Sequence, residues 1–131
     1  MHSKPSIFAL TLATSELAES EAFYRSVFDL EPIFRDEVSV IFKFGEVMVN
    51  ILDGTAAVGL FAPDPISDAG SHRGMLTIQV ENVDEEANRL RSLGVELHYG
   101  PLNQPWGIRV ITFKDPAGQM WELAQPIDTA K

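Results

Sequence analysis

Few side chains in this sequence are equipped for chemistry, and Glu122 stands out by its surroundings. It lies inside Met120–Leu123, "MWEL", a carboxylate within an apolar run that follows the turn Asp115-Pro116-Ala117-Gly118. A carboxylate placed there suits a metal ligand, a general base or a contact for a bound molecule; the plain alternative is a structural ion pair or a strand-end residue. Upstream, "PWGIR" offers Trp106, held between Pro105 and Gly107, and Arg109. The indole suits stacking on a flat ligand or packing of its own loop. The guanidinium suits an anion, Glu122 or another acidic neighbour. Of the histidines, His2 is near the terminus, His98 lies on an expected strand, and His72 precedes Met75 closely enough to swing toward a cleft. No Ser-His-Asp or Cys-His set, phosphate loop or nucleotide fingerprint is present.

The chain must supply a scaffold for these groups from 131 residues, a length that suits one domain with a useful core. Composition is globular, with 45% hydrophobic and 22% charged residues. There is no cysteine, which excludes disulfides and thiolate metal sites and makes a cytoplasmic home the default. The expectation is a chain with no signal peptide and no membrane span. Nineteen acidic against ten basic residues give a formal charge of −9, which disfavours nucleic acid and anionic membranes and suits a neutral or cationic small molecule.

The hydrophobic pattern runs twice. Ile7–Ala13 reads as a strand, Leu17, Tyr24, Val27 and Phe28 share a helix face, and Pro32–Arg35, Val38–Phe44 and Val47–Leu52 read as strands, with Gly45-Glu46 a turn. Met75–Val80 begins the second pass. Asn82 is its N-cap with Glu85 three residues on; Val83, Ala87, Leu90 and Leu93 form the stripe, and Gly94 stops the helix. Strands at Val95–Tyr99, Ile108–Lys114 and Gln119–Ala124 complete it. Adding 66 takes Leu10, Thr11 and Leu12 to Leu76, Thr77 and Ile78; by the last strand the offset is 72, from Met48, Asn50 and Ile51 to Met120, Glu122 and Leu123. The fold class is therefore α+β, with two tandem βαβββ modules, residues 6–53 and 74–125, and a connector over 54–73. Within the connector Leu60-Phe61 is an apolar patch expected to pack.

Tandem βαβββ modules, "AFYRSVFDLEP" and "QPWGIRVITFKDPAGQMWELAQP" together resemble the vicinal oxygen chelate superfamily of glyoxalases, bleomycin-resistance proteins and dioxygenases. The resemblance spans roughly Ile7 to Gln125 and is most specific in Pro-Trp-Gly-x-Arg, Asp-Pro-x-Gly and Trp-Glu-Leu. It implies modules that curl into half-open cups of mixed sheet, and a homodimer with clefts between modules. It also implies metal-ligand positions on the first and last strand of each module. Here those fall on Ala9, on Asn50 (or Val49), on Met75 and on Glu122. Zn²⁺, Fe²⁺ and Mn²⁺ sites need about three N, O or S donors. Alanine has none, a thioether suits these ions poorly and an amide oxygen is weak, so Glu122 is the one matching ligand and the expected cofactor is none. The alternative is a divalent metal ion.

Strand alternation then picks the residues lining the cup. Leu10, Leu12, Leu76 and Ile78 pack under helices, so Ala9, Thr11, Met75, Thr77 and Gln79 face the cavity, and Met120 and Glu122 share one face. The expected ligand-binding set is Thr11, Phe42, Asn50, Met75, Thr77, Trp106, Arg109 and Glu122, with Glu122 the catalytic residue if the chain is an enzyme. Two functions stay open: a metal-free protein that sequesters an aromatic or cationic compound, or a lyase, isomerase or oxidoreductase of the glyoxalase or dioxygenase type using Glu122.

Overall fold

A computed structural model describes residues 5–67, 72 and 74–127. The chain divides into two compact units, Met1–Ser67 and Asp68–Lys131. Each contains one four-stranded mixed sheet, as the doubled pattern requires.

In the first unit β1 (Ala9–Thr14) lies parallel to β4 (Val47–Asp53), and β4, β3 (Ser39–Phe44) and β2 (Phe34–Arg35) follow antiparallel, in the order β1-β4-β3-β2. Helix α1 (Leu17–Phe28) starts where Thr14 turns the chain: its Oγ1 accepts from the Glu16 amide at 3.0 Å and lies 2.9 Å from Ser20 Oγ. Tyr24, fully buried, stacks on Phe28 at 5.5 Å and meets Phe42 of β3 at 5.7 Å, while Phe28 meets Phe44 at 5.0 Å. These rings, with Val40, Val49 and Ile51, form the core between α1 and its sheet. Each such side chain contributes roughly 1.5–3 kcal/mol by leaving water. On the same side Glu21 of α1 accepts from Arg25 at 3.1 Å and from two nitrogens of Arg35 at 3.1 and 2.7 Å, tying the helix to β2.

The stretch read as a connector begins with a helix, α2 (Gly54–Phe61). Asp53 caps it by accepting from the Thr55 amide at 3.2 Å, and its Ala-, Leu- and Val-containing sequence sustains it. Ala57 is buried in it, but Leu60 and Phe61 are exposed within this chain, against the expectation that they pack.

The second unit repeats the plan. β5 (Met75–Gln79) is parallel to β8 (Met120–Pro126), and β8, β7 (Ile108–Lys114) and β6 (Leu97–Gln104) are antiparallel, in the order β5-β8-β7-β6. Helix α3 (Val83–Ser92) is capped by Asn82, whose side chain accepts from the Glu85 amide at 3.0 Å. It ends at Gly94, whose φ of +83° closes the last turn. Val83, Ala87 and Leu90 are buried, but Leu93, expected in that stripe, is 45% exposed because it sits at the C-cap. β6 also runs further than the strand expected over Val95–Tyr99, reaching Gln104, with register shifts on either side of Tyr99. Gly100 makes this fit: a Cβ there would lie 2.2 Å from the Val110 carbonyl oxygen.

Candidate functional site

The geometry around Glu122 follows from strand register. In the parallel β5–β8 pair Thr77 lies opposite Glu122, and in the antiparallel β7–β8 pair Thr112 lies opposite it on the other side. Tyr99 of β6 is in turn opposite Thr112, so Thr77, Glu122, Thr112 and Tyr99 form one transverse row. The opposite face belongs to α3. Gln125 accepts from the Val83 amide at 2.8 Å, and Arg109 grips Asp84. Trp121, Leu123, Ile111 and Phe113 are buried on that face. Glu122 therefore points away from α3, where alternation along β8 also puts Met120.

Thr77 Oγ1 donates to Glu122 Oε1 at 2.9 Å. Glu122 is half-buried, and no Lys, Arg or His among the described residues forms an ion pair with it. Thr112 is 6% exposed and its Oγ1 is buried without a hydrogen-bond partner. A carboxylate between two hydroxyls, one of them unsatisfied, can accept a ligand's N–H or O–H groups or take up a proton.

The first unit presents the same row in neutral form. Thr11 lies opposite Asn50, Asn50 opposite Ile41, and Ile41 opposite Phe34. Asn50 Oδ1 is also buried without a partner. Thr11 and Asn50, like Met75, Thr77 and Glu122, thus lie on the face of their sheet turned away from α1 or α3. Met75 is 46% exposed beside Met120, its strand partner.

Two expected lining residues lie on the wrong face. Phe42 pairs with Val49, opposite in alternation to Asn50, and is fully buried against Tyr24. It belongs to the core under α1. Arg109 pairs with Gln125, not with the Glu122 position, and faces α3. Its Nε and Nη2 donate to the two oxygens of Asp84 at 2.9 and 3.0 Å, and its Nη1 donates to Asn103 at 3.0 Å. The hydrogen bonds from Arg109 hold the Asp84 carboxyl below the usual carboxylate range, and Asp84 in turn raises Arg109. Trp106 is in the β6–β7 turn and is 69% exposed. His72 and His98 are exposed, and His2 lies outside the described residues.

Thr112 escaped the sequence reading, although the Asp115–Gly118 turn contains the signal. Asp115 accepts from the Ala117 and Gln119 amides at 2.9 and 2.8 Å, which fixes Lys114 opposite Met120 and hence Thr112 opposite Glu122. Among the described residues no group of three or more His, Cys, Asp or Glu side chains converges as a metal site would need. No helix of the described residues is long and apolar enough to cross a membrane.

A comparison with curated proteins finds no match. Among solved structures, a glyoxalase/bleomycin resistance protein/dioxygenase from Nocardioides superposes with a TM-score of 0.84 at 25% identity, covering 100% of this chain and 89% of that one. Lactoylglutathione lyase from Agrobacterium tumefaciens gives 0.75 at 27% identity, covering 94% and 95%. TnmS3, an antibiotic binding protein from Streptomyces sp. CB03234, gives 0.74 at 24% identity, covering 96% and 99%, a likeness of fold. The profile of the Glyoxalase/Bleomycin resistance protein/Dioxygenase superfamily matches residues 6–123. With the tandem βαβββ units and the Glu122 strand in place, the chain belongs to that superfamily.

Proposed function

We propose that this protein binds a small aromatic or cationic compound on the Glu122 face of its second unit, without a resident metal ion. The observation that carries the reading is the half-buried Glu122 carboxylate, bonded by Thr77 and with no ion pair to any described cation. A partly desolvated carboxylate in that state gains from a ligand's positive charge, and a chain of net charge −9 draws cations toward it. The donors around it argue against a metal. Thr77, Thr112, Met75 and Met120 offer hydroxyls and thioethers, which are poor ligands for Zn²⁺, Fe²⁺ or Mn²⁺. TnmS3 supplies a precedent for a binding role on this fold.

The likeness to lactoylglutathione lyase favours a second reading, an enzyme in which Glu122 moves a proton. Titration with the planar cation proflavine separates the two. Saturable binding is expected, weakened about tenfold or more by Glu122→Gln, because the ligand charge loses its partner. Metal analysis of the same preparation is expected to show no stoichiometric Zn, Fe, Mn or Ni. Dye binding that is absent or indifferent to Glu122→Gln removes the binding reading. Turnover of lactoylglutathione that disappears in the variant establishes the enzyme, and one metal equivalent lost with it restores the ion.

A further inference from the structure

Glu122 shares its face of the second sheet with one other charge. In the antiparallel β7–β8 pair Lys114 lies opposite Met120, and Thr112, two residues earlier on β7, lies opposite Glu122. Directly paired residues share a face, and so do residues two apart on one strand. Lys114 and Glu122 are therefore diagonal neighbours on the side turned away from α3, with Cβ atoms roughly 7 Å apart. Of the described residues in β5, β8 and β7, these two are the charged side chains of that face; Arg109 is on the other, where it holds Asp84. Lys114 is exposed and forms no ion pair with Glu122 or any other described carboxylate. Thr112 lies beside both, 6% exposed, and its Oγ1 is buried without a partner. Met75 and Met120, opposite one another, add apolar surface along the same edge of the patch. The first unit has the lysine without the acid: exposed Lys43 lies opposite Met48, while Asn50 takes the place of Glu122.

We propose that Glu122 and Lys114 are the two poles of a site for a compact zwitterion, with the ligand's cationic group on Glu122 and its carboxylate on Lys114. The Thr112 hydroxyl supplies a further donor between the poles. This assignment rests on the binding role proposed above and narrows its ligand from a cation to an amino-carboxylate. An exposed lysine gains little by closing onto a carboxylate across the strand, so both charges stay available to a partner from outside. A simple cation gains at Glu122 but meets the Lys114 ammonium close by. A zwitterion turns that repulsion into a second contact, so the face discriminates between the two. Spacing sets the size. Poles on the order of 7 Å apart suit charged groups at opposite ends of a single ring, with the methionine thioethers against the ring itself.

The test is calorimetric titration with para-aminomethylbenzoate, which carries an ammonium and a carboxylate at opposite ends of one ring, and with para-methylbenzylamine, which keeps the ammonium alone. The parent chain is expected to prefer the zwitterion roughly fivefold, the ratio that a solvent-exposed ammonium supports. Lys114→Met is expected to abolish that preference. Lys43→Met removes the same charge from the chain and is expected to keep it, which separates a local contact from a change in the overall field. Far-UV circular dichroism should be the same for both variants and the parent. Glu122→Gln is expected to weaken both compounds. A preference below twofold in the parent, one that survives Lys114→Met, or one that Lys43→Met also removes overturns the inference. Amine binding that still depends on Glu122 in those cases leaves the Glu122 binding role standing. If neither compound binds at millimolar concentration while proflavine binds through Glu122, the zwitterion site is refuted and the binding role survives; if proflavine fails as well, both fall.

Discussion

Replacing Glu21 by Gln should cost this protein about 2 kcal/mol at neutral pH, a loss that closes as the solution is acidified. The side chain is 11% exposed and accepts from Arg25 at 3.1 Å and from Arg35 at 3.1 and 2.7 Å. A hydrogen bond to a charged group is worth about 1.5–3 kcal/mol when well shielded. Here the arginines are 41% and 62% exposed, and Arg25 also serves Glu31, so water and competition remove much of the gain. The amide keeps the shape of the side chain and one acceptor, which isolates the charge. Hydrogen bonding from Arg35, and then from Arg25, holds the Glu21 carboxyl below its ordinary range, against the opposing effect of burial. Its ionised form therefore stabilises the fold fully above the unfolded-state value near 4.3, and that stabilisation is lost as pH falls through the lower folded value. Urea unfolding followed by far-UV circular dichroism is the appropriate assay, because both tryptophans lie in the other unit. The midpoint of the variant should fall by about 1 M at pH 7, and the gap to the parent should narrow below about pH 4.5. A gap under about 0.5 kcal/mol at pH 7, or one of constant size down to pH 3, would refute the account of Glu21 as a charge-bearing tie between α1 and β2.

Phe42→Ala should destabilise the fold by about 3–5 kcal/mol, since it opens a cavity against Tyr24, and should leave proflavine affinity unchanged once the protein is folded. A change in affinity at full folding, seen by calorimetric titration, would return Phe42 to the binding surface. Light scattering is expected to report a dimer, twice the mass of the chain, as the superfamily resemblance implies; a strict monomer at micromolar concentration contradicts it.

The repeat was legible because it is written in hydrophobic spacing. Thr11 opposite Asn50 and Thr77 opposite Glu122 are the pairs that the offsets of 66 and 72 imply, so the arithmetic located equivalent positions before any register was known. Asn82 and Gly94 marked their helix because caps act locally. Phe42 went astray through strand parity. The Gly45-Glu46 turn sets Phe44 opposite Val47 and Phe42 opposite Val49, one step out of alternation with Asn50, and following that hairpin through would have put Phe42 under the helix. Arg109 shows the same error, with Gln125 as its partner. The ties from Glu21 to Arg35 and from Asp84 to Arg109 span 14 and 25 residues, and no local pattern encodes them. Helix α2 was hidden because its sequence, GTAAVGLF, has no polar face to reveal a helical period.

The comparison of the two rows bears most directly on function. Both sheets place a threonine on the first strand beside a polar residue on the last, in the same register, and each has a buried polar atom without a partner. The backbone therefore does not distinguish the units at this position; the side chains do. Asn50 is neutral and is followed across the sheet by Ile41 and Phe34, whereas Glu122 is charged and is followed by Thr112 and Tyr99. Lys114 lies opposite Met120 on the same face as Glu122 but forms no ion pair with it among the described residues, and Arg109 is committed to Asp84 on the opposite face. On the binding role proposed above, the scaffold holds one carboxylate apart from Arg109 and leaves the matching position of the other repeat uncharged because that charge serves a ligand.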